Sequence, residues 1–264
     1  MNKERQLSEQ AVSSKRDFLA RACRNVLAIG AIATAGAVAR TGKAVANSCD
    51  ASPLCCFLRG TKIQLVSGER KVEDLVAGDL LPTVFGGIRS IQWIGRTRFK
   101  RSDISKPWRT TERPVRIMSS ALDANVPHRD LYLTQRHALF IEGVLVPVGR
   151  LINGTSISLF AADACDEFEY FHIKLESHDV IHAEGALCES LLSADETMSN
   201  FADYLRRYGT FETQEPRCAP ILDGRRNEMW SRVCNLTSAH KIDIIRHRLE
   251  ERAIALLAQK EAVS

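Results

Sequence analysis

The sequence predicts an all-β fold of short strands, with an N-terminal export segment before it and a helical tail after it. Three observations carry this prediction: apolar runs of about four to eight residues, turn signals between them, and a repeated L-x-x-G pattern. The runs lie between about residues 56 and 190. Many short strands with few helices are typical of an all-β unit.

The predicted strands are separated by glycine turns. The strand runs are TKIQLV, DLLPTVF, SIQWIG, VRIMS, DLYLT, ALFI, VLVPV and FEYFHIKL. The turn signals are the pairs Ser67-Gly68, Gly86-Gly87, Glu142-Gly143 and Asn153-Gly154.

Two of the turns begin a short internal repeat. Segment 75–81 reads LVAGDLL and segment 151–157 reads LINGTSI, so both fit L-x-x-G-x-x-[LI]. Each follows a glycine turn at a similar distance, at Gly68 and Gly143. Self-similarity at this level indicates related units. We therefore expect two β-units packed about a pseudo-twofold axis.

Composition bounds the class of protein. The 264 residues, 45% hydrophobic and 26% charged, are ordinary for a soluble globular chain of one or two domains. A net charge of +4 does not by itself indicate a nucleic-acid or membrane partner. The eight cysteines include no C-x-x-C pair, so a structural zinc site is unsupported and no cofactor is expected.

The positive charge is concentrated in segment 89–116. It holds nine Lys and Arg residues against two acids, with Trp93 and Trp108 between them. One interpretation is a platform for nucleic acid or anionic lipid. The other, which we favour, is a solvated loop and strand edge, since basic side chains also protect sheet edges.

The first 46 residues are predicted to be a bacterial export signal. A basic start precedes the apolar run 26–39, and the small triplet 44–46, AVA, suits a signal peptidase. Segment 14–19, SKRDFL, resembles the twin-arginine signal, with Lys15 in place of the first arginine. Fourteen apolar residues are too few for a stable transmembrane span. We expect export to the periplasm or beyond, the alternative being an amphipathic helix of the fold.

Three sequence blocks resemble the Hint superfamily, which comprises inteins, hedgehog autoprocessing domains and bacterial intein-like domains. The first begins at Cys56 and reads CFLRGTKI, followed by VEDLVAGD from Val72. The second is TQRH, residues 134–137, and the third is EYFHIKLESHDVIHAEG, residues 169–185. The resemblance implies a Hint autoprocessing domain over 56–192. With the export signal predicted over 1–46, this leaves a short linker over 47–55 and a tail over 193–264, which we expect to be helical.

The resemblance implies a self-cleavage chemistry at the bond between Cys55 and Cys56. The Cys56 thiolate would attack the carbonyl carbon ahead of it, in an N-to-S acyl shift that gives a thioester. Thr134 would hold the scissile peptide or its oxyanion, and His137 would protonate the departing nitrogen. Taken singly, Cys56, His137 and Thr134 are equally compatible with a packed thiol, a satisfied histidine and a β-former.

The third block contributes a second set of polar residues. The resemblance implies that His178 lies near the catalytic centre and that Asp179 assists the cleavage there. If His172 and His178 share one strand, even spacing places them on one face and Asp179 on the other. His172 and His182 are expected to be fold residues. No acid or cysteine completes a zinc site with these histidines at ligand spacing, so no metal is expected.

The chain departs from inteins where they end in an asparagine that cyclises. Segment 185–190 reads GALCES and has no asparagine, so full splicing is not expected. The thioester would be resolved by water or another, unidentified nucleophile, with the chain's own N-terminal segment as substrate. An alternative is a degenerate Hint fold that serves as an exported binding or structural module. A nucleic-acid binder is disfavoured by export and by missing motifs.

Two further expectations concern the ends of the domain. In an oxidising compartment Cys56 could pair with Cys49 or Cys55 and be silenced, which would make the thiol redox-gated. In the tail, helices are predicted over MSNFADYLRRYG and KIDIIRHRLEERAIALLAQKEA. The second helix is expected to pack through Ile245, Leu249, Ala253, Leu256 and Leu257, and Cys218 and Cys234 receive no role.

Overall fold

Two antiparallel sheets form the fold. The computed structural model describes residues 55–101, 103, 105–162, 165–209, 216–222 and 231–261. The strands are β1 (Phe57–Leu58), β2 (Lys62–Leu65), β3 (Gly68–Lys71), β4 (Leu80–Thr83), β5 (Gly87–Lys100), β6 (Val115–Ile117), β7 (Leu131–Leu133), β8 (Ala138–Ile141), β9 (Val144–Pro147), β10 (Ile157–Leu159), β11 (Glu167–Leu175), β12 (Val180–Ala183) and β13 (Ala186–Glu189). The predicted signal 1–46 and all of the linker except Cys55 lie outside the described residues.

The strands assemble in an order that mixes distant parts of the chain. The seven-stranded sheet runs β10-β6-β7-β1-β11-β5-β4, and the six-stranded sheet runs β3-β2-β12-β13-β8-β9. Each of the eight predicted runs contributes a strand to one of these sheets. The predicted all-β fold is confirmed.

The internal repeat has a counterpart in three dimensions. Each copy is a hairpin, β2–β3 or β8–β9, followed by a 3-10 turn (Val72–Asp74 or Val148–Arg150) and then by the L-x-x-G segment. Gly78 and Gly154 both have positive φ, +98° and +76°, which explains the glycine at that position. The two hairpins lie at opposite ends of the six-stranded sheet, and β4 and β10 at opposite edges of the other. This placement fits the expected pseudo-twofold arrangement.

Strand β11 is central and buried on both faces. Its odd-numbered residues Phe171, Ile173 and Leu175 join the main core, which draws apolar side chains from both sheets. Its even-numbered residues Phe168 and Tyr170 join a second cluster on the other face, together with Cys56 and Trp108. Because side chains alternate along a strand, His172 points to the same face as Cys56.

The basic segment 89–116 is largely neutralised within the fold. Strand β5 pairs with β11 from Lys100 to Ile91 and with β4 at its start, so much of the segment lies inside a sheet. Six of its nine cations form ion pairs with carboxylates, namely Arg89, Arg98, Lys100, Arg101, Lys106 and Arg116. This pairing favours the interpretation of the segment as fold structure over a basic platform.

The tail contains two helices that pack on the sheets. Helix α1 (Phe201–Tyr208) stacks Tyr204 edge-on against Trp93 of β5, with ring centroids 5.0 Å apart. Helix α2 (Ser231–Glu261) buries Ile245 and Leu249 in the main core, as predicted from their spacing. Leu257, also predicted to pack, is 42% exposed because it lies past the end of the core. In the described part of the chain, no helix has the length and apolar character needed to cross a membrane.

The packing of α2 is testable with two adjacent isoleucines. Ile245 is fully buried and Ile244 is 48% exposed. We expect Ile245→Ala to lower the free energy of unfolding by about 2–5 kcal/mol, since it leaves a cavity in the core. The matched control Ile244→Ala should change it by no more than about 0.5 kcal/mol. Urea unfolding followed by tryptophan fluorescence measures both, and equal losses would contradict the burial of this helix face.

Candidate active site around the Cys55–Cys56 peptide

The register of strand β1 brings together residues from three parts of the chain. Phe57 pairs with Leu133 of β7 on one side and with Phe171 of β11 on the other. Both pairings are antiparallel, so the residue before Phe57 lies opposite the residues that follow Leu133 and Phe171. Those residues are Cys56, Thr134 and His172. A two-residue strand thus places the predicted nucleophile, and all three side chains are buried.

Thr134 binds the scissile peptide at its nitrogen. The amide N–H of Cys56 donates to Thr134 Oγ1 at 3.2 Å, and the Thr134 N–H donates to the Cys56 carbonyl at 3.2 Å. The nitrogen that would leave is therefore held on the threonine hydroxyl. Thr134 was expected to bind either the scissile peptide or its oxyanion, and the structure shows the bond to the peptide N–H.

His172 contacts both reacting groups, which the sequence did not predict. Its Nδ1–H donates to the Cys55 carbonyl oxygen at 3.1 Å, because a carbonyl can only accept. Nε2, the acceptor in that tautomer, lies 3.0 Å from Thr97 Oγ1 and 3.3 Å from Cys56 Sγ. Burial lowers the pKa of His172 to about 4, so the ring is neutral at pH 7. The neutral ring presents one donor to the carbonyl and one base to the thiol.

The Cys56 thiol is protonated in the resting protein. Burial raises its pKa well above the usual value for cysteine, and the hydrogen bond to Thr134 offsets only part of this effect. A buried thiol has to lose its proton to a neighbouring base before it can attack. Cys55 and Cys56 are both free thiols, so no disulfide joins them in this structure.

His137 lies beside the scissile peptide in an apolar setting. Its ring packs edge-on against Phe57, with centroids 4.5 Å apart, and it is fully buried. Burial lowers its pKa to about 4, while the carboxylate of Glu189 and the backbone of Cys56 oppose that shift. Neither ring nitrogen meets hydrogen-bond geometry with another described residue. The ring is a neutral imidazole near the backbone of Cys56.

Glu189 is a buried carboxylate that sequence reasoning missed. One oxygen accepts from Cys55 Sγ at 2.7 Å and from the Ala138 N–H at 2.8 Å. The other lies 3.1 Å from Arg217 Nη1 and 3.4 Å from His178 Nε2. Burial alone would raise the pKa of Glu189, but the hydrogen bonds from His178, Cys55 and the Ala138 N–H oppose this effect, and the pKa is lowered.

The strand that His172 and His178 were expected to share is not present, so the prediction that both lie on one strand face is wrong. Strand β11 ends at Leu175 and β12 begins at Val180, so His178 and Asp179 lie in the connection between them. His178 faces Glu189 and accepts the Cys218 N–H at Nδ1, 3.1 Å away.

Asp179 turns to the β4–β5 hairpin. Its carboxylate accepts from the Phe85 and Gly86 N–H groups at 3.1 and 2.8 Å and pairs with Arg89 at 2.9 Å. The structure brings Asp179 to the hairpin and not to the Cys55–Cys56 peptide.

A different histidine meets carboxylates on the opposite part of the six-stranded sheet. His128 Nε2 lies 3.1 Å from carboxylate oxygens of both Glu69 and Glu184. The two carboxylates also pair with Lys62 and Arg129, which already supply positive charge. The group is explained as an ion-pair network. The half-buried His182 has no part in it.

The two low-pKa histidines make folding depend on pH. His137 and His172 have pKa values of about 4 when folded and 6.5 when unfolded, so the unfolded chain binds more protons between these values. Stability is therefore full above pH 6.5 and is lost as the pH falls toward 4. We expect the free energy of unfolding to drop by about 3 kcal/mol between pH 6.5 and 5.

Urea titrations of the Cys56→Ala chain at several pH values measure this slope without interference from cleavage. His172→Gln in that background should remove about half of the slope, because one of two such groups is gone. A slope unchanged by His172→Gln would show that this histidine is not buried in its neutral form.

Comparisons with known proteins give one family match and several similar solved structures. A family model described as the Hint domain matches residues 55–195. Similar solved structures include a DnaB intein from Synechocystis sp. PCC 6803 (11% identity, 52% of this chain and 99% of that one, TM-score 0.37), the gp41-1 intein (14%, 51% and 97%, 0.36) and a bacterial intein-like domain from Clostridium thermocellum (15%, 51% and 98%, 0.38). No curated protein matches. Because the family model covers 141 of the 264 residues, the chain belongs to the Hint domain family.

Proposed function

We propose that this chain is a single-turnover self-processing domain that cleaves its own backbone between Cys55 and Cys56. Membership of the Hint family supports self-processing in general. The finer proposal is supported by one observation, the set of contacts on the scissile peptide. The Cys56 N–H donates to Thr134, and the Cys55 carbonyl oxygen accepts from His172. The Cys56 sulfur lies against the same imidazole.

The first step is attack by sulfur. The Cys56 S–H gives its proton to Nε2 of His172, 3.3 Å away, and the sulfur forms a bond to the carbonyl carbon of Cys55. Negative charge develops on the Cys55 oxygen, which already accepts from His172 Nδ1–H. A donor placed on that oxygen stabilises the charge as it forms.

The second step is departure of the amine. The bond between the Cys55 carbon and the Cys56 nitrogen breaks, and the nitrogen gains a proton from His137. The nearby Glu189 carboxylate favours the protonated ring that delivers this proton. The products are a thioester on Cys56 Sγ and a free amino group on the same residue. His137, neutral at rest, first takes up a proton from solvent, and His172 releases to solvent the proton that it took from sulfur, so that both rings return to their neutral form.

The third step is resolution by water or another nucleophile. Water adds to the thioester carbonyl, and the carbon–sulfur bond breaks. The Cys55 carboxylate leaves and the Cys56 thiol is restored. No asparagine lies at 185–190, where strand β13 carries the chain onward to the tail, so we propose cleavage without splicing.

We also propose that processing follows export. In that case the released piece is the short segment between the signal and Cys56, or the uncut N-terminal segment as a whole. The support is the sequence alone: an export-like start, and a nucleophile that only the nine residues of segment 47–55 separate from the predicted signal.

The intact mass of the full chain tests the cleavage. We expect wild type treated with dithiothreitol or hydroxylamine to yield a product that begins at Cys56, because these nucleophiles trap the thioester. Cys56→Ala should stay uncut at this position. Cys188→Ala, which removes a different fully buried cysteine, is the matched control and should react like wild type. Identical masses for wild type and Cys56→Ala, both uncut, would refute the proposal.

The role of His172 is tested by the rate of thioester formation. His172→Gln can still donate to the carbonyl but cannot take the sulfur proton. We expect the hydroxylamine-induced rate to fall about 100-fold or more, which is typical for loss of a general base. His182→Gln, at a half-buried histidine on β12, is the control and should keep the rate. A rate unchanged by His172→Gln would assign the base to another residue.

A further inference from the structure

The carboxylate of Glu189 joins two parts of the chain that the reaction does not otherwise connect. On one oxygen it holds the side chain of Cys55, the residue ahead of the scissile bond. On the other it meets Arg217, which comes from the C-terminal tail. Glu189 is itself 1% exposed, so these contacts replace water.

The tail segment 216–222 is fixed to the domain by its backbone. The Leu145 N–H donates to Pro220 and the Leu222 N–H donates to Leu145, both at 2.8 Å, in a parallel bridge beside β9. The Cys218 N–H donates to His178 Nδ1 at 3.1 Å. These three bonds determine where Arg217 enters, and a bond of 3.1 Å links it to Glu189.

Arg217 is needed because a buried carboxylate is costly without a compensating charge. Among the described residues that contact Glu189, Arg217 is the one that is cationic at every pH where the protein folds. With Arg217 in place, Glu189 remains ionised and can only accept hydrogen bonds. The side chain at position 55 therefore faces a pure acceptor.

We propose that Glu189 and Arg217 form a recognition site for the residue preceding the nucleophile, which selects a short hydrogen-bond donor there, a thiol or a hydroxyl. The proposal rests on the self-cleavage proposed above and names its specificity. The site also positions the scissile carbonyl: the Cys55 side chain is held by Glu189, its oxygen by His172 and the next nitrogen by Thr134. Burial and the charge on Glu189 raise the pKa of the Cys55 thiol, which keeps it a donor.

The consequence is that the C-terminal tail completes the cleavage site. A carboxylate at position 55 would repel Glu189, and an apolar side chain would remove one of the two donors to a buried oxygen and leave only the Ala138 N–H there. Loss of Arg217 would weaken the site from the other side. Glu189 and Arg217 are therefore positioning residues that act through Cys55.

The first experiment measures the hydroxylamine-induced cleavage rate of the full chain with position 55 varied. We expect Cys55→Ser to stay within about threefold of wild type, Cys55→Ala to fall about tenfold, and Cys55→Asp to fall at least 100-fold. Arg217→Gln should fall about tenfold, while the exposed control Arg207→Gln should not change. Equal rates for Ser, Ala and Asp at position 55 would overturn the proposal.

A double-mutant cycle separates recognition from mere stability. If Cys55 acts through Glu189, Cys55→Ala should cost little once Glu189→Gln is present, so the two effects should not add. Strictly additive effects would overturn the proposal even if each variant is slow. Thermal unfolding of each chain confirms that the variants compared are folded.

A second measurement tests the recognition site even if the wild-type chain forms no thioester. In the uncut Cys56→Ala chain, the rate of alkylation of Cys55 by iodoacetamide reports its bond to Glu189. We expect Glu189→Gln to raise this rate about tenfold, because removal of the negative charge favours the thiolate. Glu196→Gln, at an exposed carboxylate, is the matched control. An unchanged rate in Glu189→Gln would refute the recognition site, independently of whether the chain cleaves itself.

Discussion

The site depends on how strand β1 is held between β7 and β11. The strand has only two residues, and Phe57 is paired on both of its sides. Because its neighbours are antiparallel to it, one register sets the positions of Thr134 and His172 relative to Cys56. A shift by one residue would turn every side chain of β1 to the other face and separate the sulfur from the imidazole. The strand is therefore a positioning device as well as part of the sheet.

Burial gives the site its chemistry at the expense of stability. The same apolar setting keeps His137 and His172 neutral and the Cys56 thiol protonated. A neutral imidazole can donate with one nitrogen and accept with the other, which suits a reaction that moves a proton at sulfur and another at nitrogen. The cost is that the folded state resists protonation of two histidines that the unfolded chain protonates freely.

The sequence predicted the parts of the site that lie in short contiguous blocks. Cys56, Thr134 and His137 stand in these blocks, and the structure brings Thr134 into contact with Cys56 and packs His137 against Phe57. The eight predicted strands and both tail helices are also present. Local periodicity and turn residues suffice for these features, because each depends on neighbours within a few positions.

The sequence did not predict features that depend on pairing between distant segments. His172 is 116 positions from Cys56 and was interpreted as a fold residue, although the alternation of β11 puts it on the face of Cys56. The alternation of side chains predicted the wrong orientation for His178 and Asp179. Strand β11 ends at Leu175, so the spacing counted from His172 does not apply to these two residues. No role is predicted for Glu189 from the sequence. The tail places Arg217 next to this carboxylate, and that contact, which balances its negative charge, is visible in the structure but not in the sequence.

The position of Glu189 also bears on why cleavage would occur at one junction only. In a splicing domain the end of the last strand carries a second reactive residue, but here β13 ends in this carboxylate and the chain continues into packed helices. Its hydrogen bonds are directed to the residue before Cys56 and to the tail. In the proposed mechanism, residues at the place of a second reaction centre therefore orient the first. Under the proposed cleavage without splicing, a fold with paired units would carry the chemistry at one junction only, supported by residues near the other end of the domain.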